Sequence, residues 1–548
     1  MLLPDETADP KAVPALILVL CDRKDEQELD KLAEKWGLEK AAESGEAAVA
    51  MPVPDGACWE TSCGANLSTD EKMIYAFLHQ GNDFLEGVHP MPGRHFLACE
   101  GSGSRLAVHL CAEKADFQCA AGLYLQGCGR ECAAEARRLI HIPAVVNGTA
   151  RETVDALTKA CDAVWTEEKT AVNPRNPVLR VEQWDDSRLQ RDGLWKGFFC
   201  KLRRMNTSPA GDSAEALPLP QNAQWRKEKL EDGLEHEWLE IPPEDTVKSP
   251  IPLMIVSHGM GDSPAGAAMM TEMHRIGQRE GFLAVYPRAS DGMRWNLDGS
   301  ENQPDDVAFY DALICRLKRE RKIDGERIYT CGFSNGAGMA MLYALSRPET
   351  VAACCPIDST FPYASARYFR PGERIAWLAE EGEAPKAAGG PPPMNEETAL
   401  APLRKALAEQ RKREKPIRLP VMYFYGTRES EYPVREGSNQ SLCYRFWKEF
   451  NGIANRNEDE KLPPDEAVGV SGDRVEELRP DARYPGHRWT DHCFFNDEGL
   501  DAYHFVLMHG KAHEAHPAEA EMGWAYVSRF RRKRDGGLED TELTGKEG

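Results

Sequence analysis

Positive charge is in short supply in this chain: 67 Lys and Arg stand against 89 Asp and Glu, a formal charge of −22 over 548 residues. That balance excludes a nucleic-acid surface or an anionic-membrane surface as the working face, and it reads as a solubility feature. Long apolar runs are also missing. Residues 1–13 are polar, with Asp5, Glu6 and Asp9, and the run Ala15–Leu20 is too short and wrongly flanked for a signal peptide or a membrane span. The expectation is a cytoplasmic protein with no membrane partner. Metal-binding cysteine spacing is absent as well. The 16 cysteines are scattered, and neither Cys58 with Cys63 nor Cys128 with Cys132 has C-x-x-C spacing or a matching second pair. No structural metal and no cofactor are expected, and cysteines in apolar runs, such as Cys331, Cys354 and Cys355, read as reduced core thiols. The length exceeds one ordinary core, so at least two domains are expected.

The two halves carry the same punctuation in the same order. Pro14 to Cys21 matches Pro252 to His258 as an apolar strand after a proline, each followed by a helical stretch. Val49 to Pro52, then Asp55-Gly56 and Trp59, parallels Ala284 to Pro287, then Asp291-Gly292 and Trp295. Pro143 to Glu152 parallels Pro420 to Glu429, and each half closes with a tryptophan and a basic helix, Trp195 to Arg204 and Trp524 to Arg534. Strands alternating with helices at this spacing imply a mostly parallel, doubly wound sheet in each half, hence two α/β domains in tandem. The expected boundaries are 1–205 for the first domain, 206–222 for a linker, 223–535 for the second domain and 536–548 for a frayed tail. The second half is longer between landmarks, with 92 residues from Ser334 to Gly426 against 47 from Gly101 to Gly148. The surplus falls in 365–415, read either as a cap over a site or as a surface insertion.

Gly332-Phe333-Ser334-Asn335-Gly336 is a G-x-S-x-G between an expected strand, Arg327–Cys331, and an expected helix from Met339. A serine at the tip of so sharp a turn needs small neighbours, and this context makes Ser334 the candidate nucleophile. A serine hydroxyl needs a base, an acid to orient that base, and donors for the oxyanion, in the chain order Ser, acid, His. Glu429 follows the strand Val421–Tyr425; Glu431 and Asp358 are rival acids. His513 lies beyond the last strand Tyr503–Met508, with His516 as the rival base among four clustered histidines. Ser257 to Gly261 follows the first strand of this half, so the backbone N–H groups of Met260 and Asn335 are the candidate oxyanion donors. Trp295, Asn296 and Asp306 are candidate substrate-binding residues, or else a core tryptophan and an acid-capped helix start. In the first half, Cys99-Glu100-Gly101-Ser102-Gly103 places Gly101 in the nucleophile slot, and residues 178–186 hold no histidine. That half reads as a degenerate, non-catalytic copy.

The second half, about residues 230–535, resembles the polyhydroxybutyrate depolymerase and feruloyl or acetylxylan esterase group of α/β-hydrolases. The resemblance rests on His258-Gly259, Trp295-Asn296, Asp305 to Phe309, Ile323-Asp324 with Arg327 to Tyr329, the Ser334 pentapeptide, and Gly426-Thr427 with Pro433. It implies two tandem α/β-hydrolase-like domains, and nucleophile, acid and base at Ser334, Glu429 and His513. His258 and Gly259 are further candidate substrate-binding residues. Two features depart from the pattern: glutamate replaces the usual aspartate, and Glu514-Ala515-His516-Pro517 replaces a Trp-Pro pair after the histidine. The implied activity is serine hydrolysis of small or oligomeric carboxylic esters; the alternatives are a peptidase or acyltransferase with the same triad, or a non-catalytic scaffold.

Overall fold

A computed structural model describes the chain except residues 5–8, 10, 24, 63–66, 85–87, 89, 92, 114–119, 137–139, 209–210, 245–249, 298–302, 360–395, 430–431, 433–438, 455–471, 482–483, 485 and 545–548. The described residues divide into two compact units. One comprises Met1–Pro218 with Asp481–Gly486, the other Leu219–Pro480 with His487–Gly548. Among the described residues no helix is long and apolar enough to cross a membrane.

The first unit is built on eight strands: β1 (Ala15–Leu20), β2 (Ala47–Ala50), β3 (His95–Glu100), β4 (Gly122–Gln126), β5 (Ala144–Asn147), β6 (Val164–Glu167), β7 (Thr170–Val172) and β8 (Arg180–Trp184). Their order is β2-β1-β3-β4-β5-β8-β7-β6. The six from β2 to β8 run parallel, and β7 and β6 add an antiparallel edge. Strand periodicity explains the two faces: Leu16, Leu18 and Leu20 enter one core, and Ala15, Ile17 and Val19 the other. A short antiparallel pair follows, β9 (Leu202–Met205) with β10 (Asp212–Glu215).

The second unit holds β11 (Gln224–Lys229), β12 (Glu235–Ile241), β13 (Ile251–Ser257), β14 (Leu283–Pro287), β15 (Ile323–Phe333), β16 (Ala353–Ile357), β17 (Val421–Gly426), β18 (Arg474–Leu478), β19 (Arg488–Phe495) and β20 (Asp501–His509). The order is β11-β12-β14-β13-β15-β16-β17-β20-β19-β18. Without the antiparallel hairpin β11–β12, it repeats the first sheet strand for strand: β14-β13-β15-β16-β17-β20 parallel, then an antiparallel edge. Both are doubly wound α/β sheets, and in such sheets loops at the carboxyl ends of the strands form the site.

Three local expectations are corrected. The stretch read as linker contains β10, whose ladder with β9 gives it an ordered place. The tail is not wholly frayed: β22 (Leu538–Asp540) pairs with β21 (Phe530–Arg532), and Arg529 holds Asp540 at 2.7 Å. The expected basic closing helices are strands in part. Arg203 and Arg204 lie in β9, and Arg531 and Arg532 in β21, because strand pairing there outweighs the helix propensity of arginine. Of the 365–415 insertion, the part to 395 lies outside the described residues. From there a helix, Glu396–Lys412, is anchored by Gln410, whose amide nitrogen donates to Phe450 O (3.2 Å) and whose amide oxygen accepts from Ile417 N (3.0 Å).

Candidate active site

Ser334 stands between β15 and the helix Asn335–Ser346, with φ +55° and ψ −124°. This is a region side chains avoid, and the surroundings enforce it. A Cβ on Gly332 would lie 2.3 Å from Gly336 O, and one on Gly336 would lie 2.2 Å from Ser257 O. Neither position tolerates a side chain, which is the physical content of the G-x-S-x-G pattern. Ser334 N donates to Ile357 O (3.0 Å), tying the turn to the end of β16.

The parallel pairing of β17 with β20 brings the remaining groups to this turn. It places Gly426 opposite Met508, so the loops beyond both strands emerge side by side. Arg428 N donates to Lys511 O (2.9 Å), and Gly510 N to the Thr427 hydroxyl (2.9 Å). Glu429 comes from one loop and His513 from the other. His513 Nδ1 donates to Glu429 Oε1 at 2.8 Å, and its Nε2 lies 2.8 Å from Ser334 Oγ, placed to accept the hydroxyl proton. Burial pulls the His513 imidazole down, but the charge and hydrogen bond of Glu429 outweigh it, and the imidazole titrates above its ordinary value. The Phe333 ring lies 4.8 Å from the imidazole, centroid to centroid.

The rivals have other partners. Asp358 is completely buried and ion-paired to Lys511. His516 caps the helix Pro517–Val527, its Nδ1 accepting from Ala518 N while Glu519 accepts from His516 N. His504 is held between Asp491 (2.9 Å) and Asp501 (2.8 Å), and His509 bonds Thr490 (2.8 Å). Glu431 lies outside the described residues.

Asn335 opens the helix after Ser334, so its N–H is among those a helix leaves without an internal partner. Gly259 adjoins Ser334: a Cβ there would be 3.5 Å from Ser334 Cβ and 3.1 Å from the Phe333 ring. Met260 follows, its side chain exposed.

His258, Trp295, Asn296 and Asp306 lie close behind the Ser334 turn, bonded into the protein. All four are buried, and their polar groups are spent on the protein. His258 Nδ1 donates to Gly259 O (2.7 Å) and Nε2 accepts from Ala289 N (3.0 Å). Burial pushes this imidazole down to about 4, so it is neutral, as those bonds require. Trp295 Nε1 donates to His258 O (2.9 Å), and Trp295 N to Asn335 Oδ1 (2.7 Å). Asp306 accepts from Ser290 N (3.1 Å) and Asn296 N (2.8 Å).

The first unit repeats the tryptophan and aspartate bonds of this scaffold, with Cys21 in the place of His258. Trp59 Nε1 donates to Cys21 O (2.9 Å) and Trp59 N to Ser102 Oγ (2.8 Å); Asp70 accepts from Asp55 N (3.1 Å) and Glu60 N (2.8 Å). What differs is the chemistry. Gly101, φ +63°, takes the place of Ser334, and Asp22 takes the place of Gly259. Asp22 Oδ2 accepts from Ser102 N at 3.1 Å, the amide that corresponds to Asn335 N, and a Cβ on Gly101 would lie 2.5 Å from that same oxygen. A carboxylate thus stands where the second unit has the Ser334 side chain, and it accepts from the amide that corresponds to Asn335 N. Gly101 in place of the serine was legible locally, but the contact of Asp22 with this turn was not, because Asp22 and Gly101 are 79 residues apart.

Two sets of metal-ligand-type atoms come together among the described residues: Asp491, Cys493 and His504, and Asp358, Glu429 and His513. In both sets the imidazole nitrogens are already bonded to protein groups. Every described cysteine is a free thiol.

Residues 237–367 match the family model described as Esterase PHB depolymerase, which places an esterase-family domain in the C-terminal region. A bifunctional acetylxylan esterase/xylanase of Neocallimastix patriciarum is 32% identical over 122 residues, 22% of this chain and 17% of that protein. A poly(3-hydroxyalkanoate) depolymerase C of Paucimonas lemoignei is 26% identical over 113 residues, 19% of this chain and 27% of that protein. The matched stretches thus span well under half of either relative. Among solved structures, an acetyl xylan esterase from Aspergillus awamori aligns over 56% of this chain and 98% of its own, with 13% identity and a TM-score of 0.39.

Proposed function

We propose that the second unit is a serine hydrolase of carboxylic esters, with Ser334, His513 and Glu429 as its catalytic triad. The observation that carries this reading is the hydrogen-bonded series from Ser334 Oγ through both nitrogens of His513 to Glu429 Oε1, built on a strained elbow. Ser334 Oγ attacks the ester carbonyl while His513 Nε2 takes its proton, and Glu429 steadies the imidazolium through Nδ1–H. The N–H groups of Asn335 and Met260 receive the developing oxyanion. His513 then returns the proton to the departing alcohol, leaving Ser334 acylated. A water molecule, deprotonated by His513, releases the acid and restores the serine. The two relatives named above are called an acetylxylan esterase and a poly(3-hydroxyalkanoate) depolymerase. What those names share is an ester bond, which is the substrate class proposed here, in a small or oligomeric molecule. The first unit takes no part in the chemistry, since a carboxylate occupies its oxyanion position.

Hydrolysis of p-nitrophenyl acetate and butyrate, together with fluorophosphonate labelling, tests this on the parent, Ser334→Ala and Ser102→Ala. Turnover and labelling are expected to vanish in Ser334→Ala, a loss on the order of 10³-fold or more, and to persist in Ser102→Ala. Turnover that survives Ser334→Ala would overturn the assignment.

A further inference from the structure

Asp358 directly follows β16 and has φ +48°, a conformation that strains any residue but glycine. Its counterpart in the first unit directly follows β4 and is Gly127, φ +66°. The correspondence is set by the elbows: Ser334 N donates to Ile357 O (3.0 Å) and Gly101 N to Gln126 O (3.1 Å), the residue before each. The backbone therefore takes the same turn in both units, but only the unit with a nucleophile places a side chain there. That side chain reaches both loops of the site. Asp358 Oδ1 accepts from Gly426 N (3.0 Å), where the Glu429 loop begins, and Oδ2 accepts from Glu514 N (3.2 Å), next to His513.

Lys511 is ion-paired to Asp358 Oδ2 and lies 3.0 Å from Glu519 Oε1, with all three side chains 0 or 1% exposed. The backbone carbonyl of Lys511 receives the Arg428 amide from the Glu429 loop. An ion pair so deeply buried is weak support for stability, because desolvation offsets its attraction. Acid, base and Asp358 stand close together: ligand-type atoms of Asp358, Glu429 and His513 all lie within 4.8 Å of one another.

Building on the esterase reading, we infer that Asp358, held by Lys511, is a positioning residue that clamps the Glu429 and His513 loops in register with Ser334. The charged groups facing the His513 imidazole are Glu429, Asp358 and Lys511; burial and Lys511 pull it down, and Glu429, then Asp358, push it up. Burial also pushes the Asp358 carboxyl up to about 6, so it is ionised above that pH and supplies this charge there.

The test compares the parent, Asp358→Asn, and the double variant Asp358→Gly with Lys511→Met. The readouts are kcat and KM for p-nitrophenyl butyrate from pH 5 to 9, and the NMR titration of His513. In Asp358→Asn, kcat falls about 10–100-fold, as expected for misplaced catalytic groups, while KM stays within about threefold. Its acid limb and its His513 midpoint both move to lower pH, because a negative charge is lost and Lys511 remains. A folded Asp358→Asn with parental kcat and parental acid limb would overturn the inference. Should Asp358→Asn not fold, the double variant decides, since glycine suits the backbone and no ammonium is stranded: reduced kcat at retained Tm supports the clamp, and parental kcat removes it. A parent that hydrolyses no ester removes the esterase reading instead. The His513 titration then judges the clamp alone, and a midpoint unchanged in Asp358→Asn counts against it.

Discussion

At the scale of single residues, the two units act as each other's control. Trp295 with Trp59, and Asp306 with Asp70, make matching bonds in both, so these bonds shape the turn whether or not a nucleophile follows it. Gly259 and Asp22 differ, and the difference concerns one amide. Gly259→Asp is expected to lay a carboxylate on the Asn335 N–H, as Asp22 does on Ser102 N. Blocking one oxyanion donor costs about 10²–10³-fold in kcat, and the added charge opposes the oxyanion further. The fold should survive, because the first unit accommodates an aspartate at this place. Ester hydrolysis beside a thermal melt checks both halves of the statement, and an active Gly259→Asp enzyme would show that Asn335 N is not the donor.

At the scale of elements, Ser290, Trp295 and Asn296, together with the start of the helix Asp306–Arg321, work as a brace. Asp305 caps that helix through Val307 N and Ala308 N, and basic residues crowd its last turn, where the helix dipole favours them. Asp306 gathers the incoming loop, and Trp295 N passes the constraint to Asn335. Asp306→Ala and Asp70→Ala each strand two backbone donors, at about 1–3 kcal/mol for each buried group left unsatisfied. Both variants should therefore melt earlier. Only Asp306→Ala should lose kcat, because only its brace supports Ser334, the proposed nucleophile. Equal loss of kcat in the two would mean that the first unit contributes to turnover.

At the scale of the whole molecule, the units are not simply consecutive in the chain. The first takes in residues 481–486, where the Tyr484 hydroxyl donates to Ser213 O (2.8 Å) and its ring packs with Met205 and Ala214. Tyr484→Phe removes that bond, worth about 1 kcal/mol, which in a unit of this size lowers Tm by about 2–4 °C. Calorimetry should assign the shift to the transition of the first unit. A shift confined to the second would contradict the division of the chain.

Features that depend on neighbours in the chain were legible from the residues alone. The elbow around Ser334 is one: its glycines answer clashes with backbone a few residues away or on the adjoining strand, so strand, turn and helix follow from five residues and their flanks. The doubly wound sheets are another, since strand and helix periods repeat in order in each half. The order Ser334, Glu429, His513 could be read for the same reason, but not which acid meets which histidine. That choice spans 179 residues from Ser334 to His513 and 84 from Glu429 to His513, and it is set by the register of β17 against β20. Tertiary structure also decided that His258, Trp295, Asn296 and Asp306 are buried, that Asp358 pairs with Lys511, and that Asp22 accepts from the amide after Gly101. Each is a matter of which polar group finds a partner once water is excluded, and only the packed chain determines that.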